Sequence, residues 1–114
     1  MDVPKQVQDK LAQFQNLQNQ LQMVATQKQQ FMLRNADIEG ASQELSKAGE
    51  GKIYRMAGTL FVETNKGDCE KNLGEEKESN ESRVNVLENQ EKKLTQKLNE
   101  LKGELQGMLG QGNQ

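Results

Sequence analysis

The sequence predicts a mainly α fold, a long antiparallel two-helix coiled coil whose helices are joined by a short β-hairpin. Three observations carry this reading. Only 32% of the 114 residues are hydrophobic and 4% aromatic, against the near-half apolar content of an ordinary globular domain. With a mean hydropathy of −0.96, the chain cannot fill a large compact core. Its apolar residues nonetheless recur at seven-residue spacing, a pattern that a disordered chain lacks. The single proline stands at position 4, so no long helix is interrupted by one.

Residues 1–48 read as the first helix. Asp2 is placed to cap it, and Pro4 is tolerated in the first turn, where a missing N–H costs nothing. The segment is rich in glutamine, a sound helix former, which fits a solvated face. The stripe opposite is informative: Leu17, Val24, Phe31, Ile38 and Leu45 recur every seven residues. The companion positions hold Leu21 and then Lys28, Asn35 and Ser42, and these last three, being polar, lower stability and set register. Upstream, Val7, Leu11 and Phe14 continue the stripe with a one-step change of phase near Leu17. Met23 and Met32 are expected to pack along the helix.

Residues 49–67 break the helix. Glycines 49, 51, 58 and 67 punctuate IYRMAGTLFVET, which reads as a strand over 52–56, a turn at Ala57-Gly58-Thr59 and a strand over 60–64. Leu60 and Val62 fall on one side of the second strand and Phe61 on the other. Tyr54 and Met56 share a side of the first, with Ile53 opposite. Both faces are therefore partly apolar. A lone two-stranded hairpin is marginal in water, so these residues call for burial against something outside the chain.

Residues 68–109 read as the second helix, with Asp68 as its cap and Gly74 and the ESNES stretch as a weak start. The seam runs Leu73, Lys77, Asn80, Val84, Leu87, Glu91, Leu94, Leu98, Leu101, Leu105, Met108, in alternating steps of four and three. Glycines 107, 110 and 112 mark fraying, and residues 110–114 a flexible tail. The whole, 1–114, reads as one domain. Folding two helices of similar length seam to seam brings Val3, Val7, Leu11 and Phe14 together with Leu101, Leu105, Met108 and Leu109 at the end remote from the hairpin.

Several functional classes recede on composition. There is no histidine or tryptophan and one cysteine, so an acid–base or nucleophilic set is missing; no enzyme, cofactor or metal is expected. Gly51-Lys52 lacks the rest of a phosphate-binding loop. Residues 1–48 carry five charges of each sign, 49–67 three positive and two negative, and 68–114 seven positive and ten negative. No block is basic, which removes the usual driver for nucleic acid. No apolar run is long enough for a membrane span or a secretory signal, so a cytoplasmic location is expected. The sequon Asn80-Glu81-Ser82 then has no use. Cys69 reads as a helix-start residue without special chemistry. The carboxylates stand among lysines, as in the i,i+4 pair Glu88–Lys92, and read as solvated surface.

The Gln/Leu-rich opening VQDKLAQFQNLQNQLQMV, the hairpin IYRMAGTLFVET and the helix SRVNVLENQEKKLTQKLNELKGEL together resemble the prefoldin family, in its beta type. The single hairpin carries that choice, because the alpha type has a longer double-hairpin insert. The resemblance implies a hexamer of two alpha-type and four beta-type subunits, with the hairpins joined in an inter-subunit β-barrel. It implies an ATP-independent holdase that binds unfolded proteins at its coiled-coil tips and delivers them to a group II chaperonin. Carried onto this chain, the client-holding tip is Val3, Val7, Leu11, Phe14, Leu101, Leu105, Met108 and Leu109. The oligomerisation hairpin is Ile53, Tyr54, Met56, Leu60, Phe61 and Val62. The competing reading is a structural or tethering coiled-coil hairpin, which would not need two apolar hairpin faces.

Overall fold

The computed structural model describes residues 3–111. The element order is α1 (Lys5–Lys47), β1 (Ile53–Ala57), β2 (Leu60–Thr64) and α2 (Lys66–Gln111). The chain divides into two compact units, the first formed by residues 1–28 and 85–114, the second by residues 29–84.

The helix ends are set by local hydrogen bonds. Asp2 lies outside the described residues. Helix α1 starts later than the sequence reading has it, because the Pro4 carbonyl accepts its first bonds, from the Val7 and Gln8 amides at 3.0 Å. At its other end Lys66 Nζ donates to the carbonyls of Ser46 and Ala48, at 3.4 and 3.3 Å. A cation on the last carbonyls of a helix satisfies orphan acceptors and opposes the helix dipole. Helix α2 is capped by Asn65, not Asp68. The Asn65 side-chain oxygen accepts from the Asp68 amide at 2.8 Å, and its Nδ2 donates back to the Asp68 carboxylate at 2.8 Å. Asp68 thus occupies the third helical position, where a carboxylate supports the cap. Gly74, Glu78–Ser82, Gly107 and Gly110 all remain helical. Residues 110 and 111, expected in a flexible tail, belong to α2, and residues 112–114, with Gly112, lie outside the described residues.

Within each unit the two helices pack antiparallel. In the first, Lys10 pairs with Glu104 at 2.6 Å and Lys28 with Glu91 at 2.7 Å. Val7, Leu101 and Leu105 form a buried cluster, flanked by Phe14, Leu17 and Met108. In the second, the Arg83 guanidinium sits 5.3 Å from the centre of the Phe31 ring, Asn80 meets Asn35, and Lys77 reaches Glu39 at 3.0 Å.

The covered positions of α1 include Val7, Lys10, Phe14, Leu17, Leu21, Val24, Lys28, Phe31, Asn35, Ile38, Ser42 and Leu45. They alternate in steps of three and four without a break. The change of phase expected near Leu17 is absent, because Lys10 holds the position the sequence reading gave to Leu11. The aliphatic stem of a lysine covers a seam while its ammonium reaches out, here to Glu104. In α2 the covered positions follow the expected seam from Leu73 to Met108.

Candidate functional site

The hairpin is built by a two-residue turn. Ala57 faces Leu60 across the ladder, so the loop is Gly58-Thr59 and Ala57 belongs to β1. Gly58 has φ of +63°, and among the described residues no non-glycine residue has positive φ. A glycine first and a residue of ordinary φ second is the sign pattern of a type II′ turn, whose twist matches that of the flanking strands. The register then pairs Ile53 with Thr64, Tyr54 with Glu63, Arg55 with Val62 and Met56 with Phe61. Residues directly opposite share a face. Ile53, Leu60 and Val62 therefore line one face, with Arg55 and Ala57; Tyr54, Met56 and Phe61 line the other, with Glu63.

Neither face is covered by the chain itself. Relative exposures are 56% for Tyr54, 66% for Met56, 67% for Leu60, 69% for Phe61 and 49% for Val62. Ile53 is half-buried. Fully covering side chains of this size is worth about 1.5–3 kcal/mol each. Both outer strand edges also offer unpaired backbone groups, a template for further strands.

The second candidate surface lies in the first unit, where both helices near their chain-terminal ends. Here the structure separates the predicted set. Val3, Leu11 and Leu109 are exposed, while Phe14 and Met108 are half-buried. Val7, Leu101 and Leu105 are 6–7% exposed and form the core cluster. Burial removes those three from the accessible surface and makes them the support of the end. Met23 and Met32, expected to pack along the helix, are 63% and 47% exposed.

The polar seam residues find one another. Asn80, 5% exposed, donates from Nδ2 to Asn35 Oδ1 at 2.9 Å. Asn35 in turn donates to the Lys77 carbonyl at 3.4 Å. Asn80 is thus occupied in the seam and inaccessible as a modification site. The Lys28 ammonium is held above the ordinary lysine value of 10.5 by its hydrogen bond to Glu91, against a smaller opposing effect of burial. Lys77 is raised in the same way by Glu39. Cys69 is a half-buried free thiol whose amide donates to the Asn65 carbonyl at 3.0 Å. Among the described residues no group of three or more potential metal ligands converges. No described helix is long and apolar enough to cross a membrane.

Heptad-paired helices, one uncovered two-faced hairpin between them in sequence, and apolar side chains left open at the helix ends define a coiled-coil subunit made for assembly. The prefoldin subunit family model matches residues 8–112. The chain belongs to the prefoldin family. Its relatives there include beta subunits. It is 43% identical over 109 residues to prefoldin subunit beta of Thermococcus onnurineus, covering 95% of this chain and 94% of that one. Against the same subunit of Archaeoglobus fulgidus it is 40% identical over 109 residues, with the same coverage. The crystal structure of the prefoldin beta subunit from Thermococcus strain KS-1 superposes with a TM-score of 0.84 at 39% identity, covering 95% of this chain and 96% of that one.

Proposed function

We propose that this beta-type chaperone subunit joins two alpha-type and three further beta-type chains in a hexamer, through a β-barrel made of the hairpins. In this reading the complex holds unfolded proteins at its coiled-coil ends without ATP and releases them to a group II chaperonin in the cytoplasm. The observation that carries the reading is the hairpin's exposure on both faces. Strands added at its open edges would cover the edge hydrogen-bonding groups. Closure would then bury one face inside a barrel and leave the other to pack against neighbouring helices. A tethering coiled coil has no use for Leu60 and Phe61 at more than 60% exposure.

Client holding follows from the helix ends of the first unit. Val3, Leu11 and Leu109 cannot be covered by a two-helix seam, and Phe14 and Met108 are covered only in part. Each contact with an apolar segment of an unfolded chain is weak and reversible. Several ends surrounding one cargo add avidity through effective concentration. Weak plural contact needs no nucleotide for release, and the flexible thioether of Met108 adapts to varied partners.

The test is the native mass of the chain co-expressed with an alpha-type subunit, followed by aggregation of a denatured client without nucleotide. A hexamer that suppresses aggregation is expected. Phe61→Asp should abolish the hexamer while leaving the helices folded. Loss of residues 1–10 and 105–114 should leave the hexamer but lose suppression. A Phe61→Asp hexamer at normal concentration defeats the assembly reading, and full suppression by the truncated complex defeats the client-end reading.

A further inference from the structure

The first unit carries a groove that neither the hairpin nor the helix ends account for. It has a volume of about 360 Å³. On α1 it is lined by Gln20, Met23, Val24 and Gln27, and on α2 by Gln90, Lys93, Leu94 and Lys97. Both sets follow the i, i+3, i+4, i+7 pattern, so each helix offers one continuous flank over two turns, roughly 10 Å. Its floor is apolar: Val24 and Leu94 are half-buried seam residues, and Met23 stands 63% exposed above them. Two parallel ridges over an apolar floor form the holes into which the knobs of a third helix fit.

Charge selects the occupant. Lys93 and Lys97 are the only charged residues in the lining, and neither forms an ion pair among the described residues. They stand four apart on one helix, where like charges repel and a shared counter-charge would relieve them. The other flank of α2 contrasts with this. The groove there is lined by Glu88, Glu91 and Glu100 with Lys28 and Lys92, and Lys28 and Glu91 already neutralise each other. We propose that the Met23–Leu94 groove docks an amphipathic helix of a partner chain, one with apolar residues on one stripe and carboxylates beside it. The apolar stripe seats against Met23, Val24 and Leu94. The carboxylates reach Lys93 and Lys97, and the amides of Gln20, Gln27 and Gln90 hydrogen-bond at the rim.

The experiment titrates the full chain into two fluorescein-labelled helical peptides, read by anisotropy. Both carry leucine on one stripe; one has glutamate along its flank and the other lysine. The glutamate peptide should bind about tenfold more tightly at low salt, as reversal of two exposed ion pairs implies, and lose the advantage at high salt. Lys93→Glu/Lys97→Glu should reverse the preference, and Met23→Gln, which removes apolar contact without adding charge, should weaken both peptides. Glu88→Gln/Glu100→Gln on the other flank should leave binding unchanged. Phe61→Asp should also leave it unchanged, which separates this groove from the hairpin. Circular dichroism confirms that each variant stays helical. Equal binding of the two peptides, or a preference untouched by the Lys93/Lys97 reversal, overturns the proposal.

Discussion

The two compact units use the same helix pair differently. In the first, the seam is closed by aliphatic, aromatic and thioether side chains around Val7, Leu101 and Leu105. In the second, Ile38 and Leu45 are buried, but the most deeply buried side chain is Asn80, hydrogen-bonded to Asn35. Adhesion and register are therefore separate jobs. Leucine against leucine attracts in any heptad alignment, whereas an amide in an apolar seam tolerates only the alignment that gives it a partner. The unit that carries the hairpin is the one with the more selective seam.

The largest effect should come from the adhesive unit. Leu101→Ala removes a side chain 7% exposed at the centre of the cluster, and should cost about 2–4 kcal/mol in urea unfolding. A loss below about 1 kcal/mol would show that the cluster does not hold this unit together.

A smaller effect of different character belongs to the other unit. Asn80→Leu gains apolar area but strips Asn35 of its partner, and should destabilise by about 1–3 kcal/mol. Asn35→Leu/Asn80→Leu should recover that loss or exceed the parent, so the two changes are strongly non-additive. The recovered variant should have lost its alignment. Spin labels at Gln43 and Glu70, both exposed, should give one sharp distance in the parent and a broadened set in the double variant. A single sharp distance in the double variant would assign register to the ion pairs instead.

This division also explains what the sequence could and could not disclose. Heptad positions were readable because a 3.5-residue period is a property of spacing alone, and the run from Leu73 to Met108 needed no partner to recognise. Lys10 was not readable. Hydropathy favours its neighbour Leu11, and only the geometry of the pair, with Glu104 within reach, selects the lysine stem. Asn65 and Asp68 are both good caps, and the choice depended on where β2 ends, at Thr64. The alternation of the hairpin was plain within each strand. Which half-faces belong together depended on the turn having two residues, which joins Phe61 to Met56 and Val62 to Arg55. For the candidate helix-end set, residue type named the apolar side chains, but exposure distinguishes Leu109 from Leu105, four residues away.

The smallest effect sharpens the contrast most locally. Gly74 in the second unit and Gly103 in the first are both exposed and helical, and a Cβ on either meets nothing within 4 Å. Alanine at either site should stabilise its helix by about 0.5–1 kcal/mol, because glycine loses more backbone freedom on folding. Hydrogen exchange shows where that gain is felt. The start of α2 holds Lys77 and Asn80 in its seam, so its amides should open locally before the whole chain unfolds. Gly74→Ala should then slow exchange of amides 75–82 by up to about fivefold while leaving those near Leu101 and Leu105 unchanged. Gly103→Ala should act on the leucine-rich segment instead. Equal slowing throughout α2 from either substitution would mean that the helix opens as one body and that its polar seam is as firmly held as its leucine seam.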